Sequence, residues 1–169
     1  MSKRDVDDAF EWLVVIYGIV NAIIVSYPEY FYWGEQYGMA VSEVAVKSAV
    51  LPLIVTALIW IVAKLATDIR IQVTAKLTAW LFILILVYGK IYSYLGGAGY
   101  IPMSSILTGI NMLIIPIFIP IITYKVVLPR YKEMYPDQNF LRSKTLLIIV
   151  YILTLILNFS LLLILPRPS

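Results

Sequence analysis

The chain contains neither cysteine nor histidine. The first absence removes disulfides, thiolate metal ligands, iron–sulfur clusters and thiol nucleophiles. The second removes haem held by His and every Ser-His or Cys-His mechanism, and the two together remove nearly every zinc, copper or non-haem iron site. Charge is scarce as well: Asp, Glu, Lys and Arg make up 14% of the 169 residues, where an ordinary soluble domain carries roughly a quarter. The charges are bunched, leaving residues 101–124 and 145–165 with none. No Asp or Glu lies in the interior of an apolar run, which takes away the relay carboxylate that a proton-coupled carrier ordinarily needs.

What is present is apolar. Hydrophobic residues make up 62% of the chain and the mean hydropathy is +0.90. Each charge-free interval is at least as long as the roughly 20 residues a helix needs to cross a hydrocarbon core of about 30 Å. The pattern predicts an all-α fold: a polytopic transmembrane helix bundle of about five spans, covering 9–27, 44–65, 73–95, 101–124 and 145–165, as one domain over 1–169. Asp8 and Glu11 have the spacing of a capping box at the start of the first span. No small-residue cleavage pattern follows that span, so it reads as a retained helix rather than a signal peptide. Gly96, Gly97 and Gly99 suit a tight turn after the third span, and Pro116 and Pro120 should kink the fourth. Abundant Ile, Leu and Tyr with little Asn or Gln fits a thermophilic source, a bias that membrane composition also produces.

Orientation follows from the basic residues. Lys3, Arg4, Lys64, Arg70, Lys76, Lys125, Arg130, Lys132, Arg142 and Lys144 fall on one side of the five-span arrangement, and Lys47, Lys90 and Arg167 on the other. Ten against three is a positive-inside bias, which puts the amino terminus in the cytoplasm, the carboxyl terminus outside, and residues 125–144 in a basic cytoplasmic loop. The net charge of +3 therefore reflects topology. It forms no stripe or arm of the kind that binds nucleic acid.

Polar side chains recur at helical spacing within the spans: Tyr17 and Asn21, then Ser104, Thr108 and Asn111, then Tyr151, Thr154 and Asn158. Counting helical rise places Asn21, Thr56 and Asn111 roughly 15 to 18 Å deep, near the midplane, with Asn158 nearer the outer side. Because an unpaired amide is costly in lipid, these groups should face the bundle and bond to one another or to water. Asn21, Thr56, Asn111 and Asn158 are thus either interhelical fastening or the lining of a polar pocket. Lys90 lies about 7 Å inside the outer edge, within reach of snorkelling, or of an ion pair with Glu29, Glu35 or Glu43. Tyr88 and Tyr92 flank it, in outer segments rich in rings that read as an interfacial belt or as contacts for a quinone. Gly18, Ala22 and Ser26, and Gly89 with Ser93, are spaced for close helix packing.

No pair of acid–base groups has diagnostic spacing, and no cofactor site is apparent. The expectation is a cofactor-free membrane subunit or scaffold, partnered by lipid and by other membrane subunits or further copies of itself, in an assembly such as a respiratory or secretion complex. The alternatives are a small carrier or channel for a weakly polar solute, and a lipid- or quinone-binding membrane protein.

Overall fold

The structure, a computed structural model, describes residues 3–25, 50–97, 110 and 114–164, with side chains described over 6–21, 50–92, 95, 110 and 114–160. It is all-α. Five helices are described: α1 (Lys3–Val25), α2 (Leu51–Leu65), α3 (Ile69–Gly97), α4 (Ile114–Met134) and α5 (Lys144–Ile164). Two stretches, Ile69–Tyr92 in α3 and Ile114–Met134, are long and apolar enough to cross a membrane. Leu51–Leu65 and Lys144–Ser160 are shorter apolar helices.

α1 begins at Lys3, six residues before the expected start, so Asp8 and Glu11 lie inside the helix and form no capping box at its start. The physical reason is Val6, which is buried against α3 in register with Phe10, Tyr17 and Asn21 on the same helix; burying that valine rewards coiling of the polar start. α3 is also longer than expected. Asp68 accepts the backbone N–H of Arg70 at 2.7 Å and so caps the helix four residues before the expected boundary. At its far end Gly96 and Gly97 are helical instead of forming a turn; Gly99 lies outside the described residues. α5 starts where Ser143 Oγ accepts the Thr145 N–H at 3.1 Å.

The largest departure from expectation is in α4, which does not stop at Tyr124. It continues to Met134 because Val127, Leu128 and Tyr131 are buried against α3 and α5. The expected loop over 125–144 is therefore helical in its first half, and the link to α5 is residues 135–143, including a 3-10 turn at Asn139–Arg142. Pro116 and Pro120 are absorbed by changing the helical pitch: Ile114–Phe118 and Thr123–Val127 are π-helical. The Thr123 N–H donates to both Ile119 and Pro120 carbonyls, and the Leu128 N–H reaches back five residues to Thr123.

α3 occupies the centre. Val73, Leu77 and Leu81 pack into a core shared with α4 and α5, while Ala79 and Ile83 pack with Phe10, Tyr17 and Trp60 of α1 and α2. The start of α1, the α2–α3 turn and the α4–α5 link meet at one end. Three long-range contacts fix that arrangement: Lys64 to Glu11 at 3.0 Å, the Tyr135 hydroxyl to Gln72 at 3.1 Å, and Arg70 over the Phe140 ring at 6.0 Å. Outward faces are apolar, as with Trp12, Ile16 and Ile19 on α1, Leu58 and Val62 on α2, and Ile148, Ile152 and Ile156 on α5.

Candidate functional site

Among the described residues of the apolar helices, one charged side chain is buried. Lys76 lies two turns into α3, and its ammonium donates to both oxygens of Asp7 on α1, at 2.8 and 2.7 Å. The Lys76 side chain is 3% exposed and that of Asp7 20%, so the pair is substantially removed from solvent. Aromatic rings surround it. The Lys76 ammonium lies 5.3 Å from the centre of the Trp60 ring of α2, a cation–π contact whose strength grows with desolvation. Phe10 of α1 stacks on Trp60 at 4.0 Å and meets Trp80 of α3 edge-on at 5.4 Å. Tyr131 of α4, fully buried, brings its hydroxyl close to Asp7 and Trp80. Four helices thus converge on one ion pair.

The cluster is not saturated. The indole N–H groups of Trp60 and Trp80 and the Tyr131 hydroxyl are buried without a hydrogen-bond partner. Trp80 approaches Tyr131 closely enough to interact, yet the geometry falls short of a hydrogen bond for either group. Towards the rim, Lys64 pairs with Glu11 at 3.0 Å, both more than half exposed, and its ammonium lies 5.9 Å from the centre of the same Trp60 ring. The two ion pairs differ in consequence. An exposed pair contributes about 0–1 kcal/mol, whereas removing one partner of a buried pair strands a charge and costs about 3–5 kcal/mol. Chemically the site fastens and positions. The Asp7 carboxylate is occupied on both oxygens, which leaves it poorly placed to act as a general base. Among the described residues no three His, Cys, Asp or Glu side chains gather into a metal-binding group.

The residues expected to form a midplane pocket behave differently. Asn21 donates to the Tyr17 carbonyl at 2.8 Å, Thr56 to Pro52 at 2.8 Å, and Asn158 to Thr154 at 2.8 Å. Each of these bonds closes onto its own helix, four residues back, and among the described residues none joins one helix to another. At Asn21, Thr56 and Asn158 these bonds satisfy the donor locally. The Asn21 carbonyl oxygen is left buried and unpaired. Asn111, Glu29, Glu35 and Glu43 lie outside the described residues. Tyr88 and Tyr92 stack with ring centres 6.3 Å apart, and the Tyr92 hydroxyl is buried without a partner. Lys90 beside them is partly buried and engaged. Among the described residues, a Cβ added at Gly18 or Gly89 would meet nothing within 4 Å.

Asp7, Phe10, Trp60, Lys76, Trp80 and Tyr131 escape the reading of spans because Lys76 counts there as a topology charge and Asp7 falls before the expected first span. One local signal points to them. Val73 and Trp80 place apolar side chains one turn either side of Lys76, so a helix through Ile69 presents that lysine to the core. No family model, no curated protein and no solved structure matches this chain.

Proposed function

We propose that the chain is a five-span integral membrane protein with its amino-terminal end in the cytoplasm, acting as a cofactor-free, non-enzymatic subunit or scaffold within a larger membrane assembly. The observation that carries this reading is the inversion of polarity. Large aliphatic and aromatic side chains are exposed along α1, α2 and α5, among them Trp12 at 68%, Leu58 at 57% and Phe159 at 63%, while Asn21, Thr56, Lys76 and Thr154 are buried. Contiguous apolar surface on that scale belongs against lipid or protein. The common end shared by the start of α1, the α2–α3 turn and the α4–α5 link also agrees with an odd number of alternating crossings. The self-bonded Asn21, Thr56 and Asn158 are each satisfied within one helix, which favours a subunit over a carrier or channel.

The test uses crosslinking in native membranes followed by detergent extraction. Recovery of a defined partner, or of a homo-oligomer, is the expected result; a lone monomer under both conditions refutes the subunit reading. Topology is read separately. The absence of native cysteine permits Ser2→Cys and Ser169→Cys variants, which should be labelled from opposite sides of the membrane.

A second reading, a quinone or lipid bound near the outer end, is favoured by the stacked Tyr88 and Tyr92 and the unpaired Tyr92 hydroxyl. Lys90→Met lowers ligand retention if that reading holds and is silent otherwise.

A further inference from the structure

The charges at the shared end of the bundle are unevenly compensated. At this end α1 to α3 carry Lys3, Arg4, Lys64, Arg70 and Lys76 against Asp5, Asp7, Asp8, Glu11 and Asp68, an even balance. Lys64 and Lys76 are in ion pairs, and Arg70 lies over Phe140. On α4, the link and α5 cations are in excess, with Lys125, Arg130, Lys132, Arg142 and Lys144 against Glu133 and Asp137. Arg130 pairs with Glu133 at 3.4 Å. Lys125, Lys132, Arg142 and Lys144 are all exposed, and among the described residues none has an ion-pair partner.

Those cations sit at the head of apolar stripes. On α5, Lys144, Ile148, Ile152 and Ile156 follow one another at four-residue spacing, and all four are exposed; that spacing puts them on one face. On α4, Lys125 lies one turn from the exposed Ile121 and Ile122, with Ile117 and Phe118 a turn beyond. The two helices lie side by side where these stripes begin. The Tyr124 hydroxyl donates to the Leu147 carbonyl at 3.1 Å, and Leu128 and Tyr131 share a core with Leu141 and Leu146. Free cations at the end of exposed aliphatic stripes on two neighbouring helices match one chemical class: a phospholipid with an anionic headgroup.

We infer that the paired α4–α5 surface, with Lys125, Lys132, Arg142 and Lys144 around its polar end, is a preferential docking site for anionic phospholipid. The inference rests on the membrane location proposed above. The headgroup phosphate meets the lysine and arginine donors while the acyl chains lie along the Ile148 and Ile121 faces. Lysines and arginines near a membrane surface favour an anionic headgroup by about fivefold each, an effect that salt screens.

The full chain, purified in detergent, is equilibrated with equal amounts of phosphatidylglycerol and phosphatidylcholine, and the retained lipid is counted by native mass spectrometry. Phosphatidylglycerol should be retained preferentially, and the preference should fall as salt is raised. Joint replacement of Lys125, Lys132, Arg142 and Lys144 by Gln should bring the two lipids to parity, while Lys→Arg replacement at the three lysines keeps the preference. Equal retention by the native chain, insensitivity to salt, or an unchanged preference in the Gln variant overturns the inference. Displacement of phosphatidylglycerol by millimolar inorganic phosphate also overturns it, because the site would then belong to a free anion. Extraction of the protein from membranes by alkaline carbonate is a different outcome, and overturns the membrane location itself.

Discussion

Replacing Lys76 by Met is the sharpest perturbation of this fold. The side chains are similar in length, so packing between Trp60 and Asp7 is largely kept while the charge is lost. Asp7 then holds a carboxylate that is four-fifths removed from solvent and has lost both of its donors. Full burial of an orphaned charge costs about 3–5 kcal/mol. The partial exposure of Asp7 places the expected loss at the lower edge, about 3 kcal/mol or some two decades in the folding constant. Asp7→Leu combined with Lys76→Met should recover most of the loss, because replacing both partners of such a pair by apolar groups is close to neutral. Lys64→Met, in the exposed pair, should cost about 0–1 kcal/mol. The assay is reversible unfolding in mixed micelles followed by tryptophan fluorescence, to which Trp60 and Trp80 at the site contribute. The reasoning is refuted if Lys76→Met is no more disruptive than Lys64→Met, or if the double variant is as unstable as the single one.

Three further outcomes are expected. Tyr131→Phe removes a buried hydroxyl with no partner, so it should leave stability unchanged or raise it by about 1 kcal/mol; a loss above that size in the same unfolding assay means the hydroxyl is bonded. Gly18→Ala meets nothing among the described residues and should stabilise α1 by up to about 1 kcal/mol in the isolated protein, while weakening any assembly, measured by co-purification, in which a partner helix lies at that position. Asn158→Leu removes a bond that closes onto its own helix and should change stability by less than about 1 kcal/mol; a larger loss would show that Asn158 fastens two helices.

The helical class and α5 were legible because they depend on local pattern. The run over 145–165 is free of charge throughout, is preceded by Ser143 as a cap, and matches Lys144–Ile164 within a residue. The start of α1 and the end of α4 were not legible, since Val6 and Tyr131 are helical by virtue of burial against α3. Their neighbours in sequence, with three aspartates before Ala9 and two basic residues around Tyr131, read as loop. Pro116 and Pro120 did announce an irregularity, but its form, two π-helical turns, depends on how the carbonyls around Thr123 are satisfied. The ion pair was hidden for a different reason: Asp7 and Lys76 are 69 residues apart, and no periodicity within a helix records which distant charge will face it.

That separation has a consequence for how the molecule is made. Ribosomes add about 5–20 residues per second, so Asp7 emerges several seconds before the lysine that neutralises it. During that interval α1 is a nascent helix with an uncompensated acid and a bare Phe10 beside it. Arrival of α3 supplies the missing counter-ion and the Trp80 edge together, which makes docking of the first helix an event that waits for the third.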